Sequence, residues 1–264
     1  MKTEQAGVPS TAKKRTLDDY FGKPKTRPDG IDSITGPDIK ASNTSLTDKE
    51  LKTDTGTTSV PGLSIRTNFV TASEQRSLLT FLLYQQWRND LSRRTIHYGG
   101  TYCLMAPKSA TPSERSAIEK TIITASPIPS ELYWLIDRMV SQGFYSSTKK
   151  PAFCIVNEYL PGHGIAAHVE NFRFDAPVCS LTLGDGDFMR FHELASADDG
   201  SVRSGKAAQA PRTGKNKHVW LPSGSLAVLS GDARWRWQHE IARGRVKGKE
   251  KGWRRVSLTF RVER

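Results

Sequence analysis

Short apolar segments separated by glycine and proline fill the second half of this chain, and they constrain its fold more than any other feature. Alternating or continuously apolar runs occur after Pro151 at residues 153–159, 178–183, 188–191, 218–221, 225–229 and 256–262. Runs this short, rich in β-branched and aromatic residues, are typical of strands. Two longer segments with helical spacing, at residues 75–86 and 129–139, come before them. Helices followed by many short strands predict a mainly β domain of the α+β type, a barrel or jelly roll with flanking helices.

The first 60 residues differ in composition from the rest. They are rich in Thr, Ser, Asp, Lys, Gly and Pro and poor in large apolar residues, which is typical of disordered segments. We therefore predict a disordered tail at residues 1–60 and a folded domain at residues 61–264. The stretch at residues 196–216, with its Gly and Lys content, is predicted to be a flexible loop of that domain.

Membrane-spanning and disulfide-based architectures are not expected. No stretch approaches the roughly 20 apolar residues of a membrane span, and the N-terminal residues lack the apolar core of a secretory signal. The three cysteines, Cys103, Cys154 and Cys179, are far apart and form no CxxC pair. This pattern favours a reducing compartment over a disulfide framework or a structural zinc site.

The positive charge of the chain is concentrated at its end. The formal net charge is +12, and residues 201–264 carry 16 Lys and Arg against 4 Asp and Glu, a difference of +12. Such a local excess attracts polyanions, of which nucleic acid is the commonest, although a solvated basic face without a partner is the alternative. The densest part is a basic run that we interpret as a phosphate-tracking loop. This run comprises Arg243, Arg245, Lys247, Lys249, Lys251 and Arg254.

A His-x-Glu pair marks a candidate metal site. His168 and Glu170 are two residues apart, so on an extended strand their side chains point to the same side. A third ligand from another strand would complete a two-histidine, one-carboxylate set, which leaves positions open for a co-substrate and oxygen, as in non-haem iron(II) oxygenases. His239 is the candidate third ligand. An isolated pair of this kind is usually a surface feature, so the pair alone does not establish a metal.

Two arginines near the C-terminus could bind a dicarboxylate. Arg255 and Arg261 lie six residues apart in the segment RVSLTFR, so on a strand they share one face. Each guanidinium can hold a carboxylate with two hydrogen bonds, which suits a molecule such as 2-oxoglutarate. Taken alone, the pair could equally be two exposed arginines on an edge strand.

Together these motifs resemble the AlkB family of iron(II)/2-oxoglutarate-dependent dioxygenases, over roughly residues 60–264. The resemblance is carried by four elements in matching order and spacing: Asn157-x-Tyr159-x-Pro161-Gly162, His168-x-Glu170, Gly231-Asp232-Ala233-Arg234…His239 and Arg255-x-x-x-x-x-Arg261. The segments VNEYLPGHGIAAHVEN, SLTLG and GDARWRWQHEI are most similar to the eukaryotic branch that includes the tRNA-modifying member.

The resemblance implies a double-stranded β-helix preceded by a nucleotide-recognition lid. It implies that iron(II) is bound by His168, Glu170 and His239, and that 2-oxoglutarate is contacted by Asn157, Tyr159, Arg255 and Arg261. In this assignment Arg255 pairs with the distal carboxylate, and Arg261 lies near the carboxylate at the metal. The implied reaction converts 2-oxoglutarate and oxygen to succinate and CO2 and hydroxylates a substrate C–H bond. On an N-methylated base, the hydroxymethyl product loses formaldehyde and the base is restored.

One position departs from the family pattern, which is His-x-Asp. Glu170 is one methylene longer than aspartate, so its carboxylate must fold back to reach iron at a bond length of about 2.0–2.2 Å. Some oxygenases of the wider superfamily use His-x-Glu, which favours an active enzyme. The alternative is a protein that keeps the fold and has lost catalysis.

Aromatic side chains could hold a base that has left its stack. The candidates for substrate contact are Tyr98, Arg234, Trp235 and Trp237, with His97 and Tyr102 nearby in sequence. Aromatic residues of this kind are more often part of a core than a platform for a base.

The segment KRTLDDYFG in the tail resembles the PCNA-interacting peptide. Leu17, Tyr20 and Phe21 match its apolar and aromatic positions, whereas Lys14 stands where the usual glutamine would be. The resemblance implies a nuclear enzyme, with the cytoplasm as a further location, and favours repair of alkylated DNA. Two alternatives remain open: an RNA or tRNA hydroxylase or demethylase, and a non-catalytic nucleic-acid or PCNA adaptor. We expect a monomer that does not bind membranes.

Overall fold

The computed structural model describes residues 55–107, 109–200, 209–244, 249 and 252–264. The tail motif at Leu17, Tyr20 and Phe21 lies outside the described residues. The α-helices are α1 (Ala72–Leu83), α2 (Pro112–Lys120), α3 (Tyr133–Ser141) and α4 (Gly231–Trp235), and a 3-10 turn at Ser130–Leu132 leads into α3. The strands are β1 (Thr55–Thr57), β2 (Leu63–Arg66), β3 (Arg94–Tyr98), β4 (Thr101–Cys103), β5 (Ile122–Thr124), β6 (Phe153–Tyr159), β7 (Ile165–His168), β8 (Val178–Gly184), β9 (Asp187–Leu194), β10 (Arg212–Leu221), β11 (Leu226–Leu229), β12 (Trp237–Ile241) and β13 (Arg255–Arg261).

Two antiparallel sheets form the body of the domain. The larger has seven strands in the order β1-β2-β11-β8-β13-β6-β3, and the smaller has four in the order β10-β9-β12-β7. From β6 to β13 the chain passes back and forth between the two sheets, with β9 and β10 as consecutive strands of the small sheet, as in a jelly roll. The prediction of a mainly β fold of the double-stranded β-helix type with flanking helices is confirmed. Strands β4 and β5 form a separate hairpin-like pair.

Successive side chains of strand β13 alternate between a hydrophobic core on one face and a polar cavity on the other. Val256, Leu258 and Phe260 face the first core, which lies between the seven-stranded sheet and helices α1 and α3. The intervening residues of the strand face the space between the two sheets, where Arg255 and Arg261 line a cavity. Because a strand presents successive side chains on opposite faces, one strand supplies both an apolar core and a polar site.

A partly buried ion pair joins helix α1 to helix α3. Thr71 caps α1 and forms a reciprocal capping box with Glu74. The same Glu74 carboxylate accepts two hydrogen bonds from Arg138 of α3, at 2.6 and 3.0 Å. These contacts hold the two helices side by side on the outer face of the large sheet.

The structure changes several predicted boundaries. Residues 212–216, predicted to be part of a loop, begin the long edge strand β10, whose polar sequence gave no apolar alternation. Residues 201–208 of that predicted loop lie outside the described residues. Strands β7 and β12 and helix α2 were not predicted, since the two strands are short and helix α2 has no buried residue. Among the described helices, none is long and apolar enough to cross a membrane.

Candidate metal and co-substrate site

The three candidate metal ligands come together between the sheets. His168 ends β7, Glu170 follows two residues later, and His239 lies opposite His168 in the β7–β12 pairing. One ligand atom from each side chain lies within 4.8 Å of the others. Two imidazoles and one carboxylate on one side of a metal position leave the other side open to further ligands.

His168 is oriented by its own strand. Its Nδ1 lies 2.8 Å from the carbonyl oxygen of Ala166, which leaves Nε2 directed away from that contact. Burial, assisted by the neighbouring His239, lowers the pKa of His168 to about 4. The ring is therefore neutral at physiological pH, which is the form that binds a metal.

Glu170 makes two contacts at once. One carboxylate oxygen lies 3.5 Å from Nε2 of His239, and the other accepts a 2.6 Å hydrogen bond from Nε of Arg261. Burial alone would raise the pKa of Glu170, but Arg261 and the two histidines hold it well below its usual range. The buried carboxylate is thus an anion, as a metal ligand must be.

The resemblance implies that Arg261 lies near the co-substrate carboxylate at the metal, and in the structure its guanidinium contacts the candidate metal ligand Glu170. The Nε of Arg261 is occupied by Glu170, and its Nη1 donates to the carbonyl oxygen of Thr259 at 3.3 Å. Arg261 therefore lies at the site as the partner of Glu170.

Arg255 is a buried cation at the other end of the same cavity. Its side chain is 1% exposed, its Nη2 donates to Oγ1 of Thr182 at 2.9 Å, and its guanidinium lies beside the ring of Tyr159. None of the ion pairs among the described residues includes Arg255, and its Nε has no hydrogen-bond partner there. Burial lowers its pKa, despite the opposing effects of Tyr159 and Asp187. Since a buried guanidinium normally requires an anionic partner, the site fits an incoming carboxylate.

Arg93 is a residue of this region that the sequence analysis missed. Its Nε donates to Oδ1 of Asn157 at 2.8 Å, and it also interacts with the Tyr159 side chain. Asn157 and Tyr159 line the cavity with Arg255. With Oδ1 occupied, the amide nitrogen of Asn157 is the group left to donate into the cavity. Nothing in the sequence around Arg93 marks it apart from the adjoining Arg94.

One cavity therefore contains all the residues predicted to bind the metal and the co-substrate. It is lined by His168, Glu170, His239, Asn157, Tyr159, Arg255 and Arg261. A neutral and anionic donor set lies at one end, and at the other lies a buried guanidinium with no carboxylate partner among the described residues. These groups fit a divalent metal and a dicarboxylate. Polar side chains of β8 and β13, including Ser180 and Ser257, line the space between them.

Three of the four candidate substrate contacts are buried in protein packing, so that part of the prediction is wrong. Tyr98 packs in the first core and donates to Gln85, because it shares a face of β3 with Ile96. Trp237 packs in the second core. Arg234 is 1% exposed and donates to the backbone carbonyl oxygens of Glu170, Asn171 and Phe174.

Trp235 keeps a position from which it could contact a ligand. It is partly exposed, and its ring packs edge-on against Phe172, with the ring centroids 5.6 Å apart. Phe172 is two residues from Glu170 in the sequence. The ring centroids of His97 and Tyr102 are 4.7 Å apart with their planes inclined by 49°, and Arg88 lies 3.9 Å over the Tyr102 ring. Burial, with a contribution from Arg88, lowers the pKa of His97 to about 4, so this ring is neutral.

The predicted phosphate-tracking loop is only partly described. Arg245, Lys247 and Lys251 lie outside the described residues. Arg254 is buried and binds the equally buried Glu158, which Arg94 of β3 also contacts. Lys249 forms a 2.7 Å ion pair with Asp187. Arg254 therefore does not contact phosphates, since its guanidinium is used to join β13 to β6.

Comparisons with known proteins agree with this arrangement. A family model described as "2OG-Fe(II) oxygenase superfamily" matches residues 62–261. The "Alkylated DNA repair protein ALKBH8 homolog" of Arabidopsis thaliana is 30% identical over 232 residues, which cover 83% of this chain and 61% of that protein. The "tRNA (carboxymethyluridine(34)-5-O)-methyltransferase ALKBH8" of Mus musculus is 24% identical over 69% of this chain and 24% of that protein. The "RNA demethylase ALKBH9B" of Arabidopsis thaliana is 24% identical over 76% of this chain and 39% of that protein. The chain spans less than two thirds of the length of each of these three relatives.

Proposed function

Because this chain belongs to the 2OG-Fe(II) oxygenase superfamily, we propose that it removes alkyl groups from nucleic-acid bases by oxidation. Its family model and its relatives make it an AlkB-like dioxygenase that uses iron(II), 2-oxoglutarate and oxygen. The substrate class is the proposed part. One observation carries the assignment of the site: the ligand set of His168, Glu170 and His239 shares a cavity with the buried guanidinium of Arg255.

The residues of the chain prepare this cavity for the reaction. When bound, iron(II), 2-oxoglutarate and oxygen supply the oxidising chemistry, in which 2-oxoglutarate becomes succinate and CO2 and a substrate C–H bond is hydroxylated. His168 and His239 would hold the metal as neutral donors, and Glu170 as an anion whose charge Arg261 balances. Arg255 would bind the far carboxylate of the co-substrate, with Asn157 donating beside it. The low exposure of these groups keeps bulk water away from the reacting atoms.

Nucleic acid is the substrate class that the charge and the relatives favour. The C-terminal quarter carries the whole positive excess of the chain, and a positive surface binds polyphosphates. The relatives named above include proteins whose names refer to DNA repair, to tRNA and to RNA. These names do not favour DNA over RNA, so we propose methylated single strands of either kind as substrates.

A second candidate is hydroxylation of a modified RNA or tRNA base without loss of formaldehyde. The match to a protein whose name refers to a carboxymethyluridine of tRNA favours it. Formaldehyde release separates the two reactions, because hydroxylation of a carbon-linked group leaves the product intact.

The test measures succinate and formaldehyde with iron-loaded protein and single-stranded oligonucleotides. Matched DNA and RNA would carry 1-methyladenine or 3-methylcytosine. We expect both products from wild type and neither from Glu170→Gln, which removes the anionic ligand. Glu119→Gln, an exposed glutamate of α2 paired only loosely with Arg115, is the matched control and should keep wild-type rates. Succinate without formaldehyde would favour the second candidate. If no succinate forms with excess iron, the chain is a non-catalytic adaptor.

The tail is a separate proposal. We propose that residues 14–22 bind PCNA through Leu17, Tyr20 and Phe21 and that the protein works in the nucleus. Deleting residues 14–22 should abolish capture by PCNA while turnover of a free oligonucleotide continues. Equal capture of the deleted and intact proteins would contradict this proposal.

A further inference from the structure

The outer face of the four-stranded sheet carries an exposed aromatic pair. On β9 the buried residues Asp187, Met189 and Phe191 alternate with more exposed ones. Phe188 is therefore on the outer face, and the register of the β9–β10 pair places Trp220 directly opposite it. Phe188 is 49% exposed and Trp220 is 48% exposed. Two large aromatic rings held side by side in solvent are uncommon on a sheet face that has no partner.

The local structure holds these rings in place. Their centroids are 4.8 Å apart and their planes are inclined by 60°. Gly186, in the turn between β8 and β9, lies under the indole of Trp220, where a Cβ atom would be 2.5 Å from a ring carbon. The indole thus packs on bare backbone with one face covered, and the pair is fixed without being buried.

One cation lies beside the pair on the outer face. The edge strand β10 carries Arg212, Lys215 and Lys217 and no acidic residue, but Lys217 lies opposite the inward-facing Phe191 and Lys215 pairs with Glu193. Arg190 lies next to Phe188 along the outer face of β9, where His218 is its opposite neighbour. The carboxylate nearest to Arg190 in this sheet is Glu240, at 3.9 Å, which also contacts His192. Lysines on an edge strand prevent pairing with other chains, but this function does not account for the two exposed aromatic rings.

We propose that Phe188 and Trp220, with Arg190, form a second binding surface for single-stranded nucleic acid, outside the catalytic cavity. Aromatic rings for stacking bases, next to cations for phosphates, are the combination that binds single strands without sequence preference. The proposal rests on the proposed function, because it gives the substrate strand a second contact. An acidic peptide would use the cation but would have no planar groups to stack on both rings.

The surface lies on the opposite side of the sheet from the metal ligands. Phe191 and His239 face the interior, with their rings 6.1 Å apart. Phe188 and Arg190 point the other way from the same strand β9. A strand that occupies both places must pass around the edge of the small sheet, so only long substrates gain from the second contact.

The experiment compares oligonucleotide lengths by fluorescence anisotropy and by turnover. For a strand of about 20 nucleotides, we expect Trp220→Ala to raise Kd about tenfold, because stacking of one base contributes roughly that much. For a strand of about five nucleotides, too short to span both places, binding and turnover should not change. Tyr84→Ala, at an 81% exposed tyrosine next to α1, is the matched control and should leave both lengths unaffected.

Charge provides the second measurement. Arg190→Ala should lower the salt dependence of the long strand by about 0.7 in the slope of log K against log salt, the value for one phosphate contact on a single strand. An unchanged Kd of Trp220→Ala for the long strand would overturn the proposal, as would equal competition by poly-glutamate, which would indicate an acidic partner. Loss of turnover on every oligonucleotide, with length-dependent binding retained, would contradict the proposed function and leave this surface in place.

Discussion

The buried pair of Glu170 and Arg261 should contribute strongly to the stability of the metal-free protein. Both side chains are at most 8% exposed, and their hydrogen bond is 2.6 Å long. Glu170→Gln removes the negative charge and leaves the guanidinium of Arg261 buried, with the carbonyl oxygen of Thr259 as its other described partner. Removing one member of a buried ion pair costs about 3–5 kcal/mol, because the remaining charge is not compensated.

This free energy converts to a large thermal shift. For a domain of roughly 200 residues, each 1 kcal/mol lowers Tm by about 2–4 °C, so Glu170→Gln should lower Tm by about 6–20 °C. The assay is urea and thermal unfolding at neutral pH in the presence of a chelator, followed by tryptophan fluorescence.

The control is again Glu119→Gln, whose partner Arg115 is 3.6 Å away on an exposed helix face. Exposed pairs of this kind contribute about 0.3–0.5 kcal/mol, so its Tm should stay within about 2 °C of wild type. A Glu170→Gln protein as stable as this control would refute the reasoning. It would mean that Arg261 does not depend on Glu170 for its compensation.

Two further predictions concern the same cavity, and a third concerns His97. Glu170→Asp keeps the negative charge and gives the side chain the length of the aspartate in the family's His-x-Asp pattern. Iron-dependent succinate release should therefore continue at or above the wild-type rate. If this variant released no succinate, the cavity would require glutamate. Arg93→Gln removes the hydrogen bond that orients Asn157. The KM for 2-oxoglutarate should rise about fivefold to thirtyfold, because about 1–2 kcal/mol of binding free energy is lost, and kcat should change little. A fall in kcat alone would contradict this positioning role. The pKa of His97 is about 4 when folded, below the value of about 6.5 for an exposed histidine. Between pH 6.5 and pH 4 the unfolded state therefore binds more protons than the folded state, and the free energy of unfolding falls as the pH decreases. In His97→Gln the free energy of unfolding should depend less steeply on pH over this range. An unchanged slope would show that His97 is protonated in the native state.

The sequence was sufficient for the fold class and for the choice of ligand types. Short strands after Pro151 indicated a jelly roll because their length and spacing exclude a helical domain. The spacing of His168 and Glu170 on an extended chain indicated a shared face, and the family resemblance supplied His239 as the third ligand. The structure brings these three residues together.

The inward or outward direction of individual side chains could not be predicted. Tyr98, Arg234 and Trp237 were expected to contact substrate, yet each is buried in packing or bonded to backbone. In a strand, a shift of one residue moves a side chain to the other face, and the sequence does not show which face is covered by a helix. Arg93 was overlooked for the same reason, since its neighbour Arg94 turns to Glu158 instead.

By itself, the sequence determined that this chain forms a mainly β domain in which His168 and Glu170 share one side of an extended segment and Arg255 and Arg261 share one strand face. These properties follow from local periodicity. Only the tertiary structure decided what each arginine contacts. Arg261 binds Glu170, and Arg255 has no carboxylate partner in the described part of the chain, because β13 runs between β6 and β8, with β7 across the cavity. The structure also decided that Phe188 and Trp220, which are 32 residues apart in sequence, lie side by side. Contacts of this kind depend on strand register, which many distant residues set together.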